Sequence, residues 1–156
     1  MTCYFSVKFM YGAVLFLHIL AATIWTGGHI ILASGILPKV LKQQSPGQLL
    51  HFESMYEKIG MPALLVQVIS GVWLAYRLLP DVGQWFNLSN PIAHGIMAKL
   101  TLLALTVGFA LDARLRVIPK LSTDNLTDMA WHIIPVTLFS ILFVLVGVSF
   151  RTGWLY

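Results

Sequence analysis

Leu17-His18-Ile19-Leu20-Ala21-Ala22-Thr23-Ile24-Trp25-Thr26-Gly27-Gly28-His29 lies inside an apolar run that extends from about Phe9 to Leu37. Such a run exceeds the ~20 residues a helix needs to cross a ~30 Å hydrocarbon core, so it reads as a membrane span. Its two histidines are eleven residues apart. That is about three helical turns, which puts both on one helix face, ~16 Å apart along the axis. No single metal ion bridges that distance, whereas two centres stacked at different depths would use both.

The rest of the chain has the same character. Of 156 residues, 58% are hydrophobic and 10% charged, where a soluble domain carries about a quarter charged residues. The mean hydropathy is +0.81. The expected fold is therefore all-α, an integral membrane four-helix bundle in one domain over residues 1–156. The spans are expected at about 9–37, stopped by Pro38, and at 59–79, with Pro62 in the first turn and Pro80 closing it. A third at 91–118 opens with an Asn90-Pro91 cap and stops at Pro119, and a fourth covers 129–150 with Pro135 near its start. Ten-residue alternation is absent, which excludes a β-barrel. The first apolar run is too long for a signal peptide and lacks a small-x-small cleavage site in the right place, so it is expected to be a retained span. The single Cys3 excludes an intrachain disulfide and a cysteine-based zinc site.

The net charge of +4 does not mark a nucleic-acid binder, because the basic residues flank apolar spans and form no stripe. In a membrane protein they report topology. The first and third connections hold or adjoin Lys39, Lys42, Lys58, Arg114, Arg116 and Lys120, six basic residues against Lys8, Arg77 and Arg151 at the other end. Both termini are thus expected outside. Residues 48–58 alternate apolar and charged residues and read as an interfacial helical extension of the second span.

That topology sorts the histidines by depth. With the first span centred near Thr23, His18 lies ~8 Å toward the outside and His29 ~9 Å toward the cytoplasm. His94 opens the third span in the outer half and His132 opens the fourth in the inner half. The expected pairs are His18 with His94 and His29 with His132, the geometry of two b-type haems held by imidazoles from facing helices. His51, in the cytoplasmic extension, competes for the inner centre. Gly27-Gly28 would admit a flat macrocycle or a close neighbouring helix. Lys99 within the third span, with Arg77 and Arg151 near the outer surface, would neutralise haem propionates; an intramembrane lysine is costly enough to be a functional candidate. Plainer readings stand beside these. Histidines near span ends serve as interfacial polar groups, Gly27-Gly28 as helix packing, Lys99 as a snorkelling side chain, and Arg77 and Arg151 as anchors. Asp112 and Arg116, four apart, form a surface pair.

Several segments resemble the copper-resistance protein D (CopD) family of bacterial inner-membrane proteins. They are residues 17–28, then Gly60-Met61-Pro62-Ala63-Leu64-Leu65 with Ser70-Gly71-Val72-Trp73-Leu74, then Ala98-Lys99-Leu100 and Val148-Ser149-Phe150-Arg151. The chain is also similar to HemJ-type protoporphyrinogen oxidases in a first-span histidine, here His18, and a third-span lysine, here Lys99. It differs from them in carrying His29 and His132. The resemblance implies a multi-pass protein of the inner membrane, where the termini that the charge count puts outside would be periplasmic. It also implies copper uptake or tolerance on one side, and haem binding with oxidation of a haem precursor on the other. Three functions follow. One is a cytochrome with one or two haem b groups, passing electrons between quinone and a periplasmic acceptor, as a single chain or a homodimer. The second is a copper-handling protein using His18, His29, His94 and Met97. The third is an oxidase that depends on His18 and Lys99.

Overall fold

A computed structural model describes residues 2–154, with side chains from Ser6 to Trp154, so Cys3 lies outside the described side chains. Helix α1 runs over Thr2–Ile31. It widens into a π-helical turn at Leu32–Ile36 and resumes as α2, Leu37–Gln43. Helix α3 spans Pro46–Leu78, α4 spans Pro91–Asp112 and α5 spans Leu126–Thr152. A second π turn, Ala113–Val117, and a 3-10 turn, Ile118–Lys120, extend α4. Four helical stretches are long and apolar enough to cross a membrane: Ser6–Gln43, Pro46–Leu78, Pro91–Lys120 and Thr123–Thr152. In lipid each must satisfy its own backbone groups, and the α-helix is what does so within one segment.

The boundaries differ from those expected. The first span does not stop at Pro38 but continues to Gln43. A proline has no N–H and crowds the carbonyl four residues back, here Ser34, which sits inside the wider π turn. Pro119 repeats the arrangement, its crowded partner Leu115 lying within Ala113–Val117. Helix α3 takes in 48–58 without a break, so Pro62 is inside the helix rather than in its first turn. Pro135 is likewise interior to α5. At the other end Asn90 Oδ1 accepts from the Ile92 N–H at 3.0 Å, with Pro91 beginning the helix.

Helix α1 packs along α3 and α5, and α5 along α4, while the backbones of α3 and α4 come less close to one another. The apolar core lies at the end where the 38–58 and 119–128 connections meet, called here the inner end. It is built from Leu32, Leu37, Val40, Leu49, Val117, Leu126, Met129 and Ile133. Along the rest of the bundle polar side chains share the interior: Gln67, Ser70, Thr106, Thr137, Ser140 and Ser149 are buried beside Trp25, Leu102, Val136 and Val146. Other bulky apolar residues face outward there, as with Leu65, Ile69 and Leu138. Lipid removes the hydrophobic incentive to bury them, and small hydroxylated residues let helices approach closely. The Ser140, Ser149 and Thr137 hydroxyls donate back to carbonyls of their own helix, at 2.7 Å each.

Candidate functional site

His18, Ala21, Trp25, His29 and Leu32 form the inward face of the first span, with Trp25, His29 and Leu32 buried and His18 half-buried. The two histidines do share one face, and each is met by α3.

At the outer level His18 Nδ1 lies 2.9 Å from Ser70 Oγ. The Ser70 hydroxyl donates to the Val66 carbonyl at 2.5 Å, so its oxygen accepts from His18 Nδ1–H. The neutral imidazole then keeps its lone pair on Nε2. Gly71 makes the approach feasible, since a Cβ there would stand 3.1 Å from His18 Cε1. Lys99 reaches the same level from α4. Its ammonium is within electrostatic reach of His18 and 5.7 Å from the Phe150 ring centroid. A Cβ on Gly147 of α5 would lie 3.4 Å from Nζ. The Gln67 Oε1 atom, one turn below Ser70, is buried without a partner among the described residues.

At the inner level His29 Nδ1 donates to the Trp25 carbonyl at 2.8 Å, and the two rings are 4.4 Å apart. A carbonyl only accepts, so this imidazole also carries its proton on Nδ1 and leaves Nε2 basic. Tyr56 from α3 closes the pocket. Its hydroxyl donates to the Trp25 and Ile24 carbonyls at 3.0 and 3.2 Å and lies 3.5 Å from His29 Nδ1. Phe52 stacks on the Tyr56 ring at 5.7 Å and 11°. From α5, Thr137 Oγ1, whose proton points chiefly to the Ile133 carbonyl at 2.7 Å, lies 3.2 Å from the His29 carbonyl. Trp25 Nε1 is buried without a partner among the described residues.

The expected histidine pairs are not brought together. Lys99, not His94, stands at the level of His18, and His94 is five residues earlier on α4, or ~7.5 Å along the axis. The His94 ring is exposed and its Nε2 donates to the Leu88 carbonyl at 2.6 Å. Thr137, not His132, stands beside His29, and His132 is again five residues, ~7.5 Å, nearer the inner end. Both His132 nitrogens are engaged, Nδ1 with the Asp128 carbonyl at 2.7 Å and Nε2 with Asp112 Oδ2 at 2.8 Å. These residues do not form the bis-imidazole cages that two b-type haems require. Among the described residues no group of three or more His, Cys, Asp or Glu is placed to hold a metal ion.

The remaining candidates are dispersed. His51 and Arg151 are exposed. Arg77 is exposed and sits 5.7 Å above the Trp73 ring. Asp112 and Arg116 do pair, at 2.9 Å. Gly28 is filled by the Tyr56 ring, while a Cβ on Gly27 would meet nothing within 4 Å. The neighbour that Gly28 admits is thus a helix side chain rather than a macrocycle. Tyr56, Ser70 and Gln67 were not signalled as site residues by the sequence. The one available cue was Gly60, one turn from Tyr56, where a Cβ would lie 2.9 Å from the ring.

The family model of copper resistance protein D matches residues 50–150. No curated protein and no solved structure matches the chain. The matched region carries Tyr56, Gln67, Ser70 and Lys99, and α1 with its two histidines precedes it. It takes in α4 and nearly all of α3 and α5, about two thirds of the residues. With four membrane-crossing helices around that match, the chain is a multi-pass membrane protein and belongs to the copper resistance protein D family.

Proposed function

We propose that the protein handles copper within the membrane, with His18 and His29 as successive ligands on one helix face. The observation that carries this reading is the shared tautomer. Each imidazole gives Nδ1–H to a neighbouring oxygen and keeps Nε2 basic, as metal-ligating histidines do. Copper accepts imidazole ligands, and here it is cargo rather than a resident cofactor. The Ser70 and Trp25 oxygens fix the ring orientations. Tyr56 shields the inner imidazole from the lipid side of α3. Titration of the purified protein with copper(I) against a chromogenic chelator tests the assignment. His18→Ala and His29→Ala are each expected to lose bound copper, while His94→Ala and His132→Ala keep it. Unchanged copper binding in the double variant H18A/H29A would overturn it.

A second reading rests on a different observation. Among the described residues Lys99 makes no ion pair, and a half-buried ammonium beside His18 favours an anionic ligand over a cation. A single haem at the outer level, with His18 toward iron and Lys99 toward a propionate, meets that requirement. The optical spectrum of the dithionite-reduced protein separates the two. A Soret band lost in H18A supports haem, and its absence leaves copper.

A further inference from the structure

Two hollows meet on the α4–α5 surface near the inner end. One, of about 320 Å³, is lined by Ala104, Leu105, Gly108 and Phe109. The other, of about 340 Å³, is bordered by Arg116, Lys120, Asp128 and Trp131. Asp112 and His132 line both. The two therefore make one amphipathic groove, with an apolar length along the helices and a polar mouth beyond the apolar span. Gly108 keeps the apolar half open, because a Cβ there would meet nothing within 4 Å. Each half has the volume of a small-molecule pocket.

The charge at the mouth selects the occupant. Both Asp112 oxygens are engaged, Oδ1 by Arg116 Nη1 at 2.9 Å and Oδ2 by His132 Nε2 at 2.8 Å. His132 Nδ1 lies 2.7 Å from the Asp128 carbonyl, so both of its ring nitrogens are engaged. Arg116 and Lys120 stand against the Asp112 and Asp128 carboxylates, and Asp112 turns its oxygens to Arg116 and His132 rather than to Lys120. Among the described residues Lys120 makes no ion pair. Trp131, 74% exposed, stands at the mouth, as indoles do at headgroup level.

We infer that this groove binds one anionic phospholipid, with its phosphate against Arg116 and Lys120 and an acyl chain over Gly108. Basic pockets between helices on the cytoplasmic side hold such headgroups. The test is native mass spectrometry of the full chain released from bilayers containing equal phosphatidylglycerol and phosphatidylcholine. The wild-type chain is expected to retain one phosphatidylglycerol in preference to phosphatidylcholine. Lys120→Gln, which breaks no ion pair, should lower the preference about fivefold, and R116Q/K120Q should abolish it. Gly108→Leu should fill the apolar half and lower retention of both lipids without changing their ratio. Thermal unfolding of each variant confirms that it folds. Equal retention of the two lipids by the wild type would overturn the inference. So would unchanged preference in K120Q, or a dimer or quinol occupying the groove instead.

Discussion

At the residue scale, the adjacent Gly27 and Gly28 face opposite environments. A Cβ on Gly28 would enter the Tyr56 ring, and one on Gly27 would meet nothing within 4 Å. The ring cannot swing aside freely, since Phe52 stacks on it and its hydroxyl is held by two α1 carbonyls. Gly28→Ala is therefore expected to destabilise the protein by about 1–3 kcal/mol, the usual cost of overpacking. Gly27→Ala should be neutral or stabilise by up to about 1 kcal/mol through the helix preference for alanine. Unfolding in mixed dodecyl maltoside and SDS micelles measures both. Tyr56→Phe separates ring from hydroxyl, keeping the fit at Gly28 and losing about 0.5–1.5 kcal/mol for the missing hydrogen bonds. If G27A and G28A proved equally costly, the Tyr56 contact would not be what makes Gly28 necessary.

At the scale of the element, the question is what holds the π turn at Leu32–Ile36. Pro38 is one candidate, because its ring crowds the Ser34 carbonyl. The other is the core beyond it, where Leu37 is 3% and Val40 0% exposed. Returning the turn to an α-helix would rotate everything after it by about 100° and carry both side chains off the core. Losing their burial costs about 1.5–3 kcal/mol each, more than the about 0.5–1.5 kcal/mol one recovered hydrogen bond returns. Packing wins that comparison. Pro38→Ala should leave hydrogen exchange across 32–36 unchanged, while Val40→Ala should destabilise the inner end by about 1–2 kcal/mol. Slower exchange across 32–38 in P38A would show instead that the proline makes the turn. This is also where the sequence misled. The four spans were legible from the length of their apolar runs, but Pro38 and Pro119 were legible only as stops. Whether a helix ends at a proline or widens past it depends on what the following turn can bury, and that partner lies elsewhere in the chain.

At the scale of the whole molecule, the sequence held the shared face of His18 and His29 but neither the relative depths nor the azimuths of the residues that meet them. His18 and His29 on one face followed from an eleven-residue spacing alone. Their partners Ser70 and Tyr56 depend on how α3 is rotated about its axis, which no spacing in α3 reveals, and a five-residue offset was enough to separate His94 and His132 from their expected mates. Orientation across the bilayer is the global property that charge does govern. The inner end carries Lys39, Lys42, Lys58, Arg114, Arg116 and Lys120 and the other end Lys8, Arg77 and Arg151. Two inner acids are tied to that set, Glu57 lying 2.6 Å from Arg114 and Asp112 2.9 Å from Arg116, but acids count little in the rule, so six basic residues against three predict the direction. Alkaline phosphatase, which works only outside the cytoplasm, should be active when fused after Phe86 or Trp154 and inactive after Gln44 or Ser122. Replacing Lys39, Lys42 and Lys58 with glutamine leaves three basic residues at each end, since six less three is three. The expected result is a mixed population in which the Gln44 fusion gains activity as the Trp154 fusion loses it. Fixed orientation in that triple variant would mean that Arg114, Arg116 and Lys120 suffice to hold the topology. The reverse pattern in the unaltered chain would place the His29 level toward the outside and turn the proposed order of the copper ligands around.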